Sequence, residues 1–181
     1  KDLAAAPAVI GATGAVLPAG VALYARGAGE PTGDFAQLWV NGVNVAPGSR
    51  GFNLAALDAH GALLEASVFD TFASEDESAR MAAWLRTWPA GTIIMGAVAD
   101  EASYHLTADA IAALGALGVA PDGLNHFRRS HAFIGVAGAP PGSALADQSD
   151  IHSAAVWLGA PVDGARAFGP IDEVTLLPAP K

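Results

Sequence analysis

The 181-residue chain contains no cysteine. Disulfides, thiolate catalysis and thiolate metal centres are therefore excluded, while the compartment stays open, because a cysteine-free chain suits either side of a membrane. Positive charge is scarce: nine Lys and Arg stand against eighteen Asp and Glu, giving a net charge of −9. Nucleic acid and anionic membrane surfaces both require a basic face, so neither is expected as a partner. Although 52% of the residues are hydrophobic by type, much of that is alanine. No stretch reaches the roughly 20 unbroken, strongly apolar residues of a membrane span, and no membrane insertion by this segment is expected. Catalytic signatures are missing as well. There is no HExxH, no G-x-S-x-G elbow, no P-loop and no G-x-G-x-x-G behind a strand.

The five histidines, His60, His105, His126, His131 and His152, form no helical pair with a carboxylate at metal-ligand spacing. Asp100, Glu101 and His105 come nearest, around a turn, where a zinc or calcium site competes with a plain turn cap. Adjacent Asp100 and Glu101 do not suit a glycosidase pair, whose carboxyls must flank one bond. No catalytic residue, metal or cofactor is assigned, and an enzyme is not expected.

What is present is organised around residues 92–107, TIIMGAVADEASYHLT. The apolar run 92–98 reads as a strand covered on both faces, turning polar at Asp100-Glu101. Before it, residues 1–20 are rich in Ala, Gly and Pro and read as a linker or edge strand. Val21, Leu23 and Ala25 then alternate with Tyr24 and Arg26, a half-buried strand, before a loop at 27–33. A hairpin is predicted over 35–45, with Leu38 and Val40 on one face and Asn41-Gly42 as a type I′ turn. Strands at 52–57 and 62–69 flank the turn Asp58-Ala59-His60-Gly61.

Ser74 with Glu77 three residues on forms a capping box. Met81, Trp84, Leu85 and Trp88 make the apolar stripe of the helix that follows, ended by Pro89. The two tryptophans are assigned to the core rather than to a sugar platform. Thr107 caps a second helix carrying Ile111, Leu114 and Leu117, with Gly118 as its stop; Gly115 within it predicts close packing on a sheet. A polar loop, NHFRRS at 125–130, feeds a strand at 131–136. A Gly/Pro loop follows at 138–142, then strand candidates at 154–158 and 173–177. Eight or nine strands with two helices predict an α+β fold: two packed, mainly antiparallel β-sheets, sandwich-like, with two or more short helices outside. The main domain is placed at 21–142, with 143–181 as an extension of one or two strands packed on it. Lys1 fits an excised module of a longer protein as well as a mature N-terminus.

Three charges sit at strand ends. Arg50 precedes the 52–57 strand, Asp100 follows the central strand, and Arg128 lies just before the 131–136 strand. If these strands are neighbours, one carboxylate and two guanidiniums converge on one rim. That trio suits a polyol: Asp accepts two hydroxyl protons, and each Arg donates to oxygens in a fixed fork. Phe127 or Tyr104 would supply an apolar face. The competing reading is an Asp–Arg ion pair that simply closes the fold.

SRGFNLAALD, FDTF, AVADEASYHLT, LGALG and FRRSHAFIG, in that order, resemble the motifs of the interleukin-like EMT inducer domain. The resemblance covers about residues 21–142, and FAQLWVNG resembles bacterial members. This domain is the fold of the pancreatic-derived-factor cytokines. It also occurs as the stem of the O-mannose N-acetylglucosaminyltransferase and in cell-surface hyaluronan-degrading proteins. The resemblance implies two packed β-sheets with short helices at the side. From the stem domain it implies a non-catalytic, lectin-like module binding a saccharide, with Arg50, Asp100 and Arg128 as the sugar contacts. It also implies an extracytoplasmic or secreted setting within a larger protein. The cytokine branch implies the alternative, a protein-interaction or oligomerisation domain. Two departures bear on the sugar's identity: Phe127-Arg128-Arg129 replaces an aromatic-Arg-Asp run, and His131 stands where a Trp is common.

Overall fold

The computed structural model describes residues 8–159. Eleven strands and two α-helices follow one another: β1 (Ala8–Val9), β2 (Val16–Leu17), β3 (Leu23–Gly29), β4 (Phe35–Val40), β5 (Val43–Asn44), β6 (Gly51–Leu57), β7 (Leu63–Phe69), α1 (Glu75–Thr87), β8 (Ile93–Asp100), α2 (Ala108–Gly115), β9 (Ser130–Val136), β10 (Leu145–Ser149) and β11 (Ala154–Leu158). The described residues are thus mostly β with two α-helices. β1 and β2 form a two-stranded ribbon, and the other nine strands form one branched sheet. One branch runs β10-β9-β8-β6-β7 with every neighbour antiparallel. The other runs β11-β3-β4-β5, also antiparallel. They join where β3 meets β8 in a short parallel register, Ala28 opposite Ala99 and Gly29 opposite Asp100.

Two apolar clusters hold these parts together. The first gathers Leu23, Ala25, Leu38 and Val156 from one branch and Leu57, Ile93, Met95 and Ile134 from the other. The second sets Phe52, Leu54, Ile94, Val98 and Phe133 against Met81 and Leu85 of α1 and Ala110 and Leu114 of α2. Both faces of β6, β8 and β9 are therefore covered, which is why β8 reads as an unbroken apolar run. β4, with only one face on a cluster, alternates residue by residue.

Local chemistry sets the element ends. Asn41 and Gly42 both take positive φ, 48° and 82°, as a type I′ turn between β4 and β5 requires. Ser74 Oγ accepts the Glu77 N–H at 3.3 Å and Thr107 Oγ1 accepts that of Ala110 at 3.3 Å, so both predicted N-caps form. The capping box is only half made. The Glu77 carboxylate accepts from the Asp70 N–H and from Arg80 instead of returning to Ser74.

Several boundaries differ from expectation. Residues 8–20, read as a linker or edge strand, supply the two strands of the β1–β2 ribbon, and Ile10 and Leu17 are fully buried. β3 continues through Gly29 rather than ending in a loop at Gly27. Its glycines permit close crossing of other backbone, since a Cβ on Gly27 would collide with the His131 carbonyl and one on Gly29 with that of Arg128. The turn-forming reputation of glycine hid that use. β8 likewise runs two residues beyond 98. α2 stops at Gly115, and Gly118 lies past its end with φ 91°. Gly115 does not mark tight packing on a sheet, because a Cβ there would make only an ordinary contact with Pro141 at 3.6 Å. β10 was not anticipated, and the candidate strand at 173–177 lies outside the described residues. No described helix is long and apolar enough to cross a membrane.

Candidate functional site

The condition set by the sequence, that three strands be neighbours, is met. β8 lies between β6 and β9, and Gly51 at the start of β6 pairs with Ala99. Arg50, Asp100 and Arg128 thus stand at one rim of the sheet, joined there by the end of β3, where Gly29 pairs with Asp100.

Asp100 is half-buried and takes a left-handed φ of 57°. Non-glycine residues seldom hold that conformation unless their surroundings impose it. Its carboxylate makes no hydrogen bond or ion pair among the described residues. Burial pushes its pKa upward; Asp34 and Glu30 push the same way, against Arg50 and Arg128. The two arginines are close enough to act on Asp100 electrostatically, yet each is anchored elsewhere. Arg50 donates from Nε to Asp70 Oδ1 at 3.0 Å and from Nη2 to Asp70 Oδ2 at 2.8 Å. That pair raises the Arg50 pKa and holds Asp70 below the usual carboxylate range. Arg128 donates from Nη1 to Glu30 Oε2 at 2.8 Å.

Each guanidinium is also laid over a ring. Arg50 lies 4.5 Å from the centre of Phe72, and Arg128 lies 5.0 Å from that of Phe127. Tyr104 packs on Phe72 at 5.5 Å between centroids. Tyr104 and Phe127 remain 66% and 59% exposed, so aromatic surface faces solvent on either side of the charges.

Glu101 has a separate task from its neighbour. It is 2% exposed, and its carboxylate accepts from the Ser103 N–H, from Ser103 Oγ at 2.6 Å, and from the Arg128 N–H. Arg128, like Asp100, has φ 57°, and its carbonyl presses on Gly29. The buried carboxylate thus fixes the unusual backbone that carries one site residue directly beside the other. His105 turns away, its Nδ1 2.5 Å from the Phe72 carbonyl oxygen. Asp100, Glu101 and His105 therefore do not converge, and no group of three metal-ligating side chains assembles among the described residues.

Sequence reasoning found the three named charges and both exposed aromatics. It missed Glu30, Asp34 and Asp70, which set the electrostatics, and Glu101's clamp on Arg128. Asp70 and Phe72 lie in the FDTF motif, which was visible; Glu30 lay in what read as an undistinguished loop, and Asp34 directly follows it.

The architecture and this rim define a β-rich domain with a charged, aromatic-flanked concentration of donors and acceptors at one sheet end. Residues 50–139 match the family model described as Interleukin-like EMT inducer. The match begins on Arg50, includes Asp100 and Arg128, and spans β6 to β9 with both helices. It is narrower than the 21–142 of the sequence resemblance, and the β11-β3-β4-β5 branch lies wholly outside it. No curated protein matches the chain.

Proposed function

We propose that the protein is a non-catalytic carbohydrate-binding module, lectin-like, that grips a sugar residue at the Arg50–Asp100–Arg128 rim. The carrying observation is that the Asp100 carboxylate is left free while both arginines beside it are tied to other acids. An Asp–Arg pair serving only to close the fold would have spent that carboxylate. A free, partly desolvated carboxylate accepts protons from two vicinal hydroxyls. Arg50 Nη1 and Arg128 Nη2, which make no hydrogen bond among the described residues, are available to donate to ring or hydroxyl oxygens. Phe127 and Tyr104 offer flat apolar surface to the C–H face of a pyranose.

A small polar ligand on an open rim gains little after desolvation, so single-site affinity is low. Tethering to a neighbouring domain would raise the effective concentration. The sandwich-like description of the fold, the likeness to the O-mannose N-acetylglucosaminyltransferase stem, a bacterial source and an extracytoplasmic setting in a larger protein belong to the same reading. The interaction-domain alternative asks for a contiguous apolar patch. Leu63 and Leu64 on β7 are exposed where the β6–β7 register shifts by a bulge, and two side chains do not make such a patch.

The test is an NMR titration of the 15N-labelled domain with a panel of monosaccharides. Saturable shifts at Asp100, Arg50 and Arg128, lost in Asp100→Asn with the rest of the spectrum intact, are expected. Silence of the Asp100 region at high millimolar saccharide would overturn the proposal in favour of an interaction domain.

A further inference from the structure

The sheet register carries one more charged group to the rim already described. β10 lies beyond β9, and Ser149 at its end pairs with Ser130 at the start of β9. Asp150 therefore leaves the sheet at the same end as Arg50, Asp100 and Arg128. In the strand order β7-β6-β8-β9-β10, that end presents Asp70, Arg50, Asp100, Arg128 and Asp150, charges of alternating sign with one step per strand.

The acids in this row do not share one task. Asp70 is spent on Arg50. Asp150, like Asp100, makes no hydrogen bond among the described residues: Arg129 Nε lies 3.5 Å from its Oδ1 without aligning on it, and His126 Nδ1 lies 3.8 Å away. Its side chain is 56% exposed. Ile151 beside it is 87% exposed, the barest large apolar side chain among the described residues. A carboxylate with free lone pairs next to open apolar surface thus recurs two strands away from Asp100. The loop that carries it is also held in place. Ser149 Oγ accepts the N–H groups of Ile151 at 3.2 Å and His152 at 3.1 Å. Gln148 Nε2 donates to the Asp122 carbonyl at 3.2 Å, tying this loop to the one that bears Phe127.

Neighbouring strands lie about 4.8 Å apart, so the ends of β8 and β10 are separated by about 10 Å. One pyranose does not bridge that distance; two linked ones do.

We propose that the rim takes a chain of at least two sugar residues, the first on Asp100 and the next passing Phe127 to give its hydroxyl protons to Asp150, with its C–H surface on Ile151. This rests on the saccharide reading of Asp100, and it gives that site a second place and a direction, from β8 towards β10. His126, with its side chain 59% exposed, borders the second place and offers a ring nitrogen to a further hydroxyl.

The experiment titrates the 15N-labelled domain with glucose, galactose, mannose and N-acetylglucosamine, and with the β1,3- and β1,4-linked disaccharides of each. The amides of Asp100 and Arg128 report the first place, and those of Asp150, Ile151 and His152 the second. For the sugar that binds, a disaccharide is expected to bind about tenfold tighter than the monosaccharide, about 1.4 kcal/mol, which hydrogen bonds to a charged acceptor can supply. The disaccharide should move both sets of amides, and the monosaccharide only the first. Asp150→Ala is expected to remove the advantage and Ile151→Ser to reduce it. Both side chains are exposed, so neither variant threatens the fold. Equal affinities with no response at 150–152, or an advantage that survives Asp150→Ala, overturn the proposal while the Asp100 site stands. Silence at Asp100 with every monosaccharide and disaccharide overturns the saccharide reading itself, and this proposal with it.

Discussion

The Glu101 carboxylate accepts the backbone N–H of Arg128, tying the residue after β8 to the loop that enters β9. Two site residues with left-handed backbones, Asp100 and Arg128, are thereby locked to one buried acid.

Removing that acid should cost more than its single side chain suggests. Glu101→Ala leaves the Arg128 and Ser103 N–H groups without their acceptor in a part-buried setting. Each unsatisfied donor costs about 1–3 kcal/mol, and a loss of about 3 kcal/mol is expected in urea denaturation. A loss below about 1 kcal/mol would show that Arg128 is held by other contacts.

Asp100 should behave in the opposite way. Its carboxylate stabilises nothing by hydrogen bonding and is repelled by Asp34 and Glu30, so Asp100→Asn is expected to keep or raise the thermal midpoint at pH 7. Asn also tolerates the left-handed backbone. The sign with pH follows from the raised pKa. Relative to the unfolded chain, Asp100 favours folding below its unfolded pKa and loses that contribution as pH rises through its folded pKa. The proposed saccharide binding would use the charged form. It should therefore fade on acidification at a pH above the ordinary Asp range, a midpoint that NMR titration reads directly.

Arg50 holds Asp70 ionised. In Arg50→Ala the 13C-detected pKa of Asp70 is expected to rise toward its ordinary value, since the hydrogen bonds that depress it are gone. Both groups are part-exposed, so the stability change should stay under about 1 kcal/mol. An unmoved Asp70 pKa would refute the pairing.

His131 makes the fold acid-sensitive. Its pKa falls from 6.5 to about 4 on folding, so below pH 6.5 the unfolded chain takes up a proton that the native one refuses. Stability contributed by the neutral ring is complete above pH 6.5 and is lost progressively down to about pH 4, by about 3 kcal/mol in all. Paired carboxylates such as Asp70 and Glu77 add their own acid loss, so the comparison must be with His131→Phe measured over the same range. That variant should lose less stability between pH 6.5 and 4 than the parent.

How far the sequence revealed this molecule depended on whether local or distant contacts govern each element. Ser74, Thr107 and Asn41-Gly42 act within a few residues of themselves, and their caps and turn were legible. The apolar run of β8 announced a doubly covered strand, and the charges at its ends and its neighbours' ends marked one rim. Gly27 and Gly29 were misleading because their purpose is to let His131 and Arg128 approach, partners about a hundred positions away. The acids that anchor Arg50 and Arg128 were hidden for the same reason: nothing in the spacing of Glu30 or Asp70 states which arginine each will meet.

The parallel contact of Ala28 with Ala99 and Gly29 with Asp100 is the one backbone pairing that joins the two branches among the described residues. It behaves as a weld placed under the proposed binding rim. Separation of the branches breaks the pairing at Asp100, and a guest held by Asp100 would resist that separation. Amide exchange at Gly29 and Asp100 would therefore register occupancy and mechanical integrity in the same signal.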